Sequence, residues 1–185
     1  MKIIIGLGNP GDKYQFTRHN AGWLALDYLI QKIASDKGET ASWEENKKLS
    51  ALIYKSGDYL FAKPLTFMNE SGRAVQAILS YYHLLPKKLG LFKSKDSDLS
   101  QILFVIHDEI DLDLGQIRLS ADSRSAGHRG VESIIRHLKT KNFSRWRLGI
   151  NTPNKGQTPT EKFVLQRFTN EELEKLEKTF AGLKF

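Results

Sequence analysis

A single α/β domain over residues 1–185, a twisted mixed β-sheet flanked by helices, is the fold this sequence predicts. Three observations carry it. Short apolar runs rich in β-formers alternate with segments whose apolar residues recur at helical spacing. Two alternating runs flank Ser56-Gly57-Asp58, a tight-hairpin signal, so the sheet is not purely parallel. A chain of 185 residues is also long enough for one core, burying about 70% of its unfolded surface without staples.

The elements follow in order. Lys2-Ile3-Ile4-Ile5 opens a strand over 2–8, and the run from Trp23 to Ile33 predicts an amphipathic helix over 21–35. The hairpin strands span 50–56 and 58–63. A helix over 70–83 shows Val75, Ile78, Leu79 and Tyr82 as its core-facing stripe. Further strands are read at 102–107, 115–120 and 145–151, with a helix at 129–139. Thr169 and Glu172 form a capping box before Leu173, Leu176, Phe180 and Leu183, which predicts a helix over 170–183. The polar stretch 93–100 reads as an exposed loop, and the Ser-, Ala-, Gly- and Arg-rich stretch 120–129 as a mobile segment.

The bulk composition narrows the partners. A net charge of +7 predicts a surface that attracts phosphate-rich ligands, although solubility alone also accounts for it. The absence of cysteine excludes disulfides, thiolate metal sites and cysteine nucleophiles. No apolar run approaches bilayer-spanning length and residues 1–20 do not read as a secretory signal, so a cytoplasmic protein is expected, with no membrane partner.

Two polar constellations are brought toward one strand end. Gly6-Leu7-Gly8-Asn9-Pro10-Gly11 follows the first strand, and Thr17-Arg18-His19-Asn20-Ala21-Gly22 precedes the first helix. Ligands of open α/β sheets bind outside the carboxyl ends of the strands. The glycines match G-x-G-x-x-G, but no helix opens directly after them and no second strand follows before roughly residue 49, so a dinucleotide site is rejected.

His107-Asp108-Glu109-Ile110-Asp111 follows another apolar run and is expected at the same sheet edge. A carboxylate beside His19 makes a general base, fixing the ring tautomer and stabilising the imidazolium. Alternatively the cluster holds a divalent metal, or its charges are solvated in a loop. No G-x-S-x-G elbow is present, so water activation by His19 is simpler than covalent chemistry. In Thr66-Phe67-Met68-Asn69, Asn69 is either a helix N-cap or a carboxamide that binds a ligand's peptide group, and Phe67 and Met68 are apolar contacts beside it or core.

Together these segments resemble the bacterial-type peptidyl-tRNA hydrolases along nearly the whole chain. The resemblance rests on the two N-terminal segments with Tyr14, on Pro64 to Gly72, on His107 to Asp111, and on Arg147-Leu148-Gly149-Ile150 with Phe163-Val164-Leu165, all in matched order. It implies hydrolysis of the ester joining a peptide to the terminal ribose of tRNA, by a cofactor-free, metal-free and usually monomeric enzyme. His19 matches the family's base and Asp108 its orienter. Asn9 and Asn69 match residues that position water and substrate peptide, with Asn20, Phe67 and Met68 expected beside them. Tyr14 matches a position at the tRNA end, and Arg118 and Arg147 match the phosphate grip. Arg129 stands where the family has an asparagine, so it is expected to hold a peptide carbonyl in that residue's place. The loop around 91–101 is longer than usual for the family, and a final helical stretch of many relatives has no counterpart before Phe185. The alternative from another class is a non-catalytic RNA-binding protein of this fold, like the plant organellar splicing factors that resemble these hydrolases.

Overall fold

The computed structural model describes residues 1–85 and 97–185. Among these residues seven strands form one mixed sheet: β1 (Lys2–Gly6), β2 (Glu44–Asn46), β3 (Ala51–Ser56), β4 (Tyr59–Pro64), β5 (Leu103–Asp113), β6 (Ile117–Ser120) and β7 (Ser144–Asn151). Their spatial order is β2-β3-β4-β1-β5-β7-β6. The four central strands β4, β1, β5 and β7 run parallel, while β2–β3–β4 at one edge and β6–β7 at the other pair antiparallel. The predicted hairpin is β3–β4, closed by Gly57 in a left-handed conformation that glycine accommodates without a Cβ clash.

Alternation along the central strands divides the core in two. Ile4, Phe104 and Ile106 face α1 (Ala21–Ser35) and pack with Ala25, Leu26 and Ile30. Ile3, Ile5, Leu103 and Val105 face α2 (Ser71–Tyr81) and α3 (Arg129–Leu138), meeting Val75, Ile78, Val131 and Ile134. The short α4 (Thr160–Phe163) and α5 (Asn170–Phe180) close the α1 side through Phe163, Leu176 and Phe180. Val75, Ile78 and Leu79 are buried as the helical spacing predicts, and the capping box of α5 is formed.

Three expectations change. The edge strand β2 was not expected, because Glu44-Glu45-Asn46 lacks any apolar alternation; pairing with β3 defines it. The strand read at 102–107 continues to Asp113, so Asp108 lies within β5 and not in a loop after it. The β7 backbone alongside supplies the partners that keep it extended. Of the loop expected at 93–100, residues 93–96 lie outside the described residues. The rest is fastened: Leu99 is buried and its N–H donates to Asn142 O, while Ser97 O and Ser100 O accept from the Thr140 and Ser144 hydroxyls.

Candidate active site

The crevice forms because β1 stops before its neighbour does. β1 ends at Gly6, paired with Ile106, while β5 runs on beside β7 alone. The chain leaving β1 then turns over the end of the sheet through Gly8, Asn9 and Pro10, and no α-helix opens until Ala21. The glycines serve close packing here. A Cβ on Gly6 would lie 2.4 Å from Gly22 O, and one on Gly8 would lie 2.7 Å from the Trp23 ring. The beginning of α1 is thereby drawn against the end of β1.

His19 sits in a single 3-10 turn, Arg18–Asn20, just before α1. Two backbone bonds hold that turn against the segment before α5: Arg18 N–H donates to Gln166 O and His19 N–H to Val164 O, 3.0 and 2.8 Å. The three polar side chains of the turn diverge. Arg18 points into the core, Asn20 is fully buried, and His19 alone faces the crevice.

Asn20, expected beside the substrate, is buried and turned toward Asn9. Its Oδ1 accepts from Asn9 N–H at 2.9 Å and its Nδ2 donates to Asn9 O at 3.0 Å, so it clamps the backbone of Asn9. Asn9 in turn accepts Met68 N–H on Oδ1, 2.9 Å, and its amide N–H groups have no acceptor among the described residues. Met68 is core, with its side chain buried under Leu7 and Gly130. Phe67 is 58% exposed. Asn69 is exposed too and is not a cap: the residue flanking α2 is Glu70, and it makes no side-chain capping bond. Tyr14 is half-buried one turn before His19, and its carbonyl accepts the Thr17 hydroxyl.

His19 Nδ1 lies 3.0 Å from both oxygens of Asp108. Asp108 is buried, which by itself favours the neutral acid, but His19 and His128 beside it hold its carboxyl well below the usual carboxylate range. The ionised carboxylate only accepts, so Nδ1 of His19 carries a proton and Nε2 keeps its lone pair. Burial opposes protonation of His19, and Arg129 repels it. The attraction and hydrogen bond of Asp108 outweigh both and raise its pKa.

His128, a residue with no role expected from sequence, completes this arrangement. Its Nδ1 accepts the N–H groups of Gly130 and Val131, capping α3. Its Nε2 must then carry the proton, which it donates to Asp108 Oδ1 at 2.9 Å. The available signal was a histidine just before a helix start, a weak one because histidine is an uncommon cap. His107 is buried behind it: Nδ1 donates to Asp108 O at 2.7 Å, and burial together with His128 keeps its ring neutral.

His19, Asp108 and His128 also form a cluster in which a metal ion is conceivable, with candidate ligand atoms within 4.8 Å of one another. A metal there would have to displace the protons that His19 Nδ1 and His128 Nε2 direct at the carboxylate, replacing both His–Asp hydrogen bonds.

Arg129, the first residue of α3, is exposed between His128, which binds Asp108, and Gly130, which packs on Met68. Arg118 on β6 is exposed and directly opposite Arg147 on β7. Arg147, expected at the phosphate grip, also has a partner within the protein. Its Nε and Nη2 both lie 2.8 Å from Glu109 Oε2, so much of its charge is spent on a buried carboxylate.

The sequence model of peptidyl-tRNA hydrolases matches residues 3–184. The chain belongs to the peptidyl-tRNA hydrolase family. It is 41% identical over 180 residues to a peptidyl-tRNA hydrolase of Mycoplasma capricolum, covering 97% of this chain and 87% of that one. It is 38% identical over 181 residues to that of Staphylococcus aureus, covering 96% and 84%. Among solved structures, the peptidyl-tRNA hydrolase of Acinetobacter baumannii superposes with a TM-score of 0.78 at 25% identity, covering 98% of this chain and 83% of that one. The mixed seven-stranded sheet is thus the architecture of a peptidyl-tRNA hydrolase, and the His19–Asp108 pair lies in the crevice of that sheet.

Proposed function

We propose how this member carries out its family's reaction, the hydrolysis of peptidyl-tRNA. The observation that carries the reading is the His19–Asp108 pair, with Nε2 of His19 left free at the crevice. Nε2 takes a proton from water as the oxygen attacks the carbonyl carbon of the ester between peptide and ribose. Asp108 holds the imidazolium that forms. The tetrahedral intermediate collapses, the ribose oxygen leaves with the proton from Nε2, and the products are tRNA and the peptide acid, which ionises by releasing its proton to solvent. The free amide donors of Asn9 orient water or the carbonyl oxygen, and the carboxamide of Asn69 holds the peptide backbone. Phe67 is an apolar contact beside Asn69 and Tyr14 lies at the tRNA end, while Arg118 and Arg147 take phosphate and Arg129 the peptide carbonyl.

In this reading the single domain works in the cytoplasm as a monomer, without metal or cofactor. Among the described residues no helix is long and apolar enough to cross a membrane. The non-catalytic RNA-binding alternative leaves the clamped Asn9 and the oriented His19 without purpose.

A cleavage assay with peptidyl-tRNA, run with a chelator present, tests the reading. Wild-type protein is expected to turn over fully, and His19→Ala to lose about 10²–10⁴-fold in kcat with its fold intact. Binding without cleavage supports the RNA-binding alternative. Loss of activity with chelator, restored by a divalent ion, overturns the metal-free mechanism.

A further inference from the structure

Among the described residues Arg145 makes no salt bridge. It lies on β7, is 2% exposed, and shares the α2–α3 face of the sheet with its neighbour Val105. Its guanidinium is spent on the backbone before α3: Nη1 donates to Arg124 O at 3.0 Å, and Nη2 to Ser123 O at 2.5 Å and to Ser123 Oγ. Burying a guanidinium to bind neutral carbonyls is costly, and it is worthwhile only where the loop's conformation matters.

That loop is not one the chain adopts by preference. Asp122, Ala126 and Gly127 all have positive φ, and two of them are not glycine. The anchors run consecutively toward the site. Arg145 holds residues 123 and 124. Ser125 Oγ then donates to Glu132 Oε2 at 2.5 Å, and Ser125 O accepts His128 N–H at 3.0 Å. His128 donates to Asp108 at 2.9 Å, and Asp108 orients His19.

We propose that Arg145 is a positioning residue for the reaction, holding His128 against Asp108 through Ser123–Ser125. The proposal rests on His19 being the base. Lysine at this position keeps the charge but lacks the planar fork that reaches two carbonyls at once. The expected stretch of mobile chain at 120–129 is accordingly an irregular segment with a built anchor.

The experiment is a double-mutant cycle on the full chain between Arg145→Lys and His128→Ala, measuring kcat and its pH profile on peptidyl-tRNA. Arg145→Lys is expected to lower kcat about 10-fold with KM little changed, since small displacements of a positioned group act on the chemical step. It should also move the acid limb to higher pH, because an Asp108 released by His128 acts more fully on His19. In the His128→Ala background Arg145→Lys should change neither quantity. Multiplying effects, or an unchanged kcat in the single variant, overturn the proposal. Should Arg145→Lys fail to fold, Ser125→Ala breaks a more exposed link of the same chain. It is expected to show a smaller fall that also vanishes in the His128→Ala background, and an equal fall there counts against the proposal. Retained activity in His19→Ala refutes the base assignment alone, whereas the cycle still reports whether Arg145 acts through His128.

Discussion

Arg18 and Glu172, separated by 154 residues, form a buried ion pair in which one guanidinium nitrogen of Arg18 lies 2.8 and 2.9 Å from the two carboxylate oxygens. The guanidinium also lies over the rings of Phe163 and Phe168, 4.4 and 5.0 Å from their centroids. Glu172 closes the capping box of α5 with the same carboxylate, accepting Thr169 N–H at 2.9 Å. The residue before the proposed base is therefore tied to the C-terminal helix. Removing one partner of a buried pair strands the other, so Glu172→Ala should cost about 3–5 kcal/mol, against about 1 kcal/mol for Thr169→Ala, which loses only the cap. Urea denaturation measures both. Adding Arg18→Ala to Glu172→Ala should cost far less than the sum of the singles; full additivity would show that the pair is not coupled.

The pKa shifts set the pH dependence. As the proposed base, His19 must be neutral to act and its pKa is raised, so the acid limb of kcat/KM should lie above the ordinary histidine value of about 6.5. Asp108→Asn removes the attraction and leaves burial to act, moving that limb to lower pH while kcat falls. For stability, the raised His19 contributes below its unfolded pKa and loses that contribution as pH rises through the folded value. The depressed Asp108 contributes above its unfolded pKa and loses that as pH falls through the folded value. The pair should thus stabilise most between about pH 4 and pH 6.5. Thermal melts across pH for wild type and His19→Ala check this: the difference should peak in that window.

Arg129 bears on the same titration from the solvent side. Its charge disfavours the imidazolium, so Arg129→Asn should move the acid limb to higher pH. Above the limb the variant should keep kcat and keep or lower KM, since asparagine supplies both a donor and an acceptor to a peptide group. A salt-dependent rise in KM would place Arg129 on tRNA phosphate instead. A large, salt-independent loss of kcat would make it part of the catalytic group.

Arg118 and Arg147 are not equivalent. Exposed Arg118 should contribute about one unit to the salt slope of tRNA binding, so Arg118→Ala lowers that slope by about one. Arg147 is engaged by Glu109, so Arg147→Ala should lower it by less, and Glu109→Gln should free the guanidinium and steepen it. Filter binding over a salt series separates the cases. Equal slopes for both arginine variants would show that Glu109 does not compete with phosphate.

Elements whose signal is local were legible in the sequence. The apolar run Ile3-Ile4-Ile5, the stripe of Val75, Ile78 and Leu79, the hairpin at Gly57 and the capping box at Thr169 each depend on residues within a turn or two of one another. β2 and the continuation of β5 to Asp113 were not, because pairing with a neighbouring strand supplies their stability, whatever their own side chains are.

The same division runs through the site. The sequence by itself determined that His19, Asp108, Asn9 and Asn69 are present in family order, which assigns the reaction class. Tertiary structure alone decided what neighbouring polar residues do. In Arg18-His19-Asn20 the first reaches Glu172, the second Asp108 and the third Asn9, because a 3-10 turn directs successive side chains apart. It also decided that His128 shares Asp108 and that Arg147 is paired with Glu109. Those partners lie 20 to 154 residues away in the chain, except Asn9 at 11, and only the packed sheet and its crossing helices bring such groups to hydrogen-bonding distance.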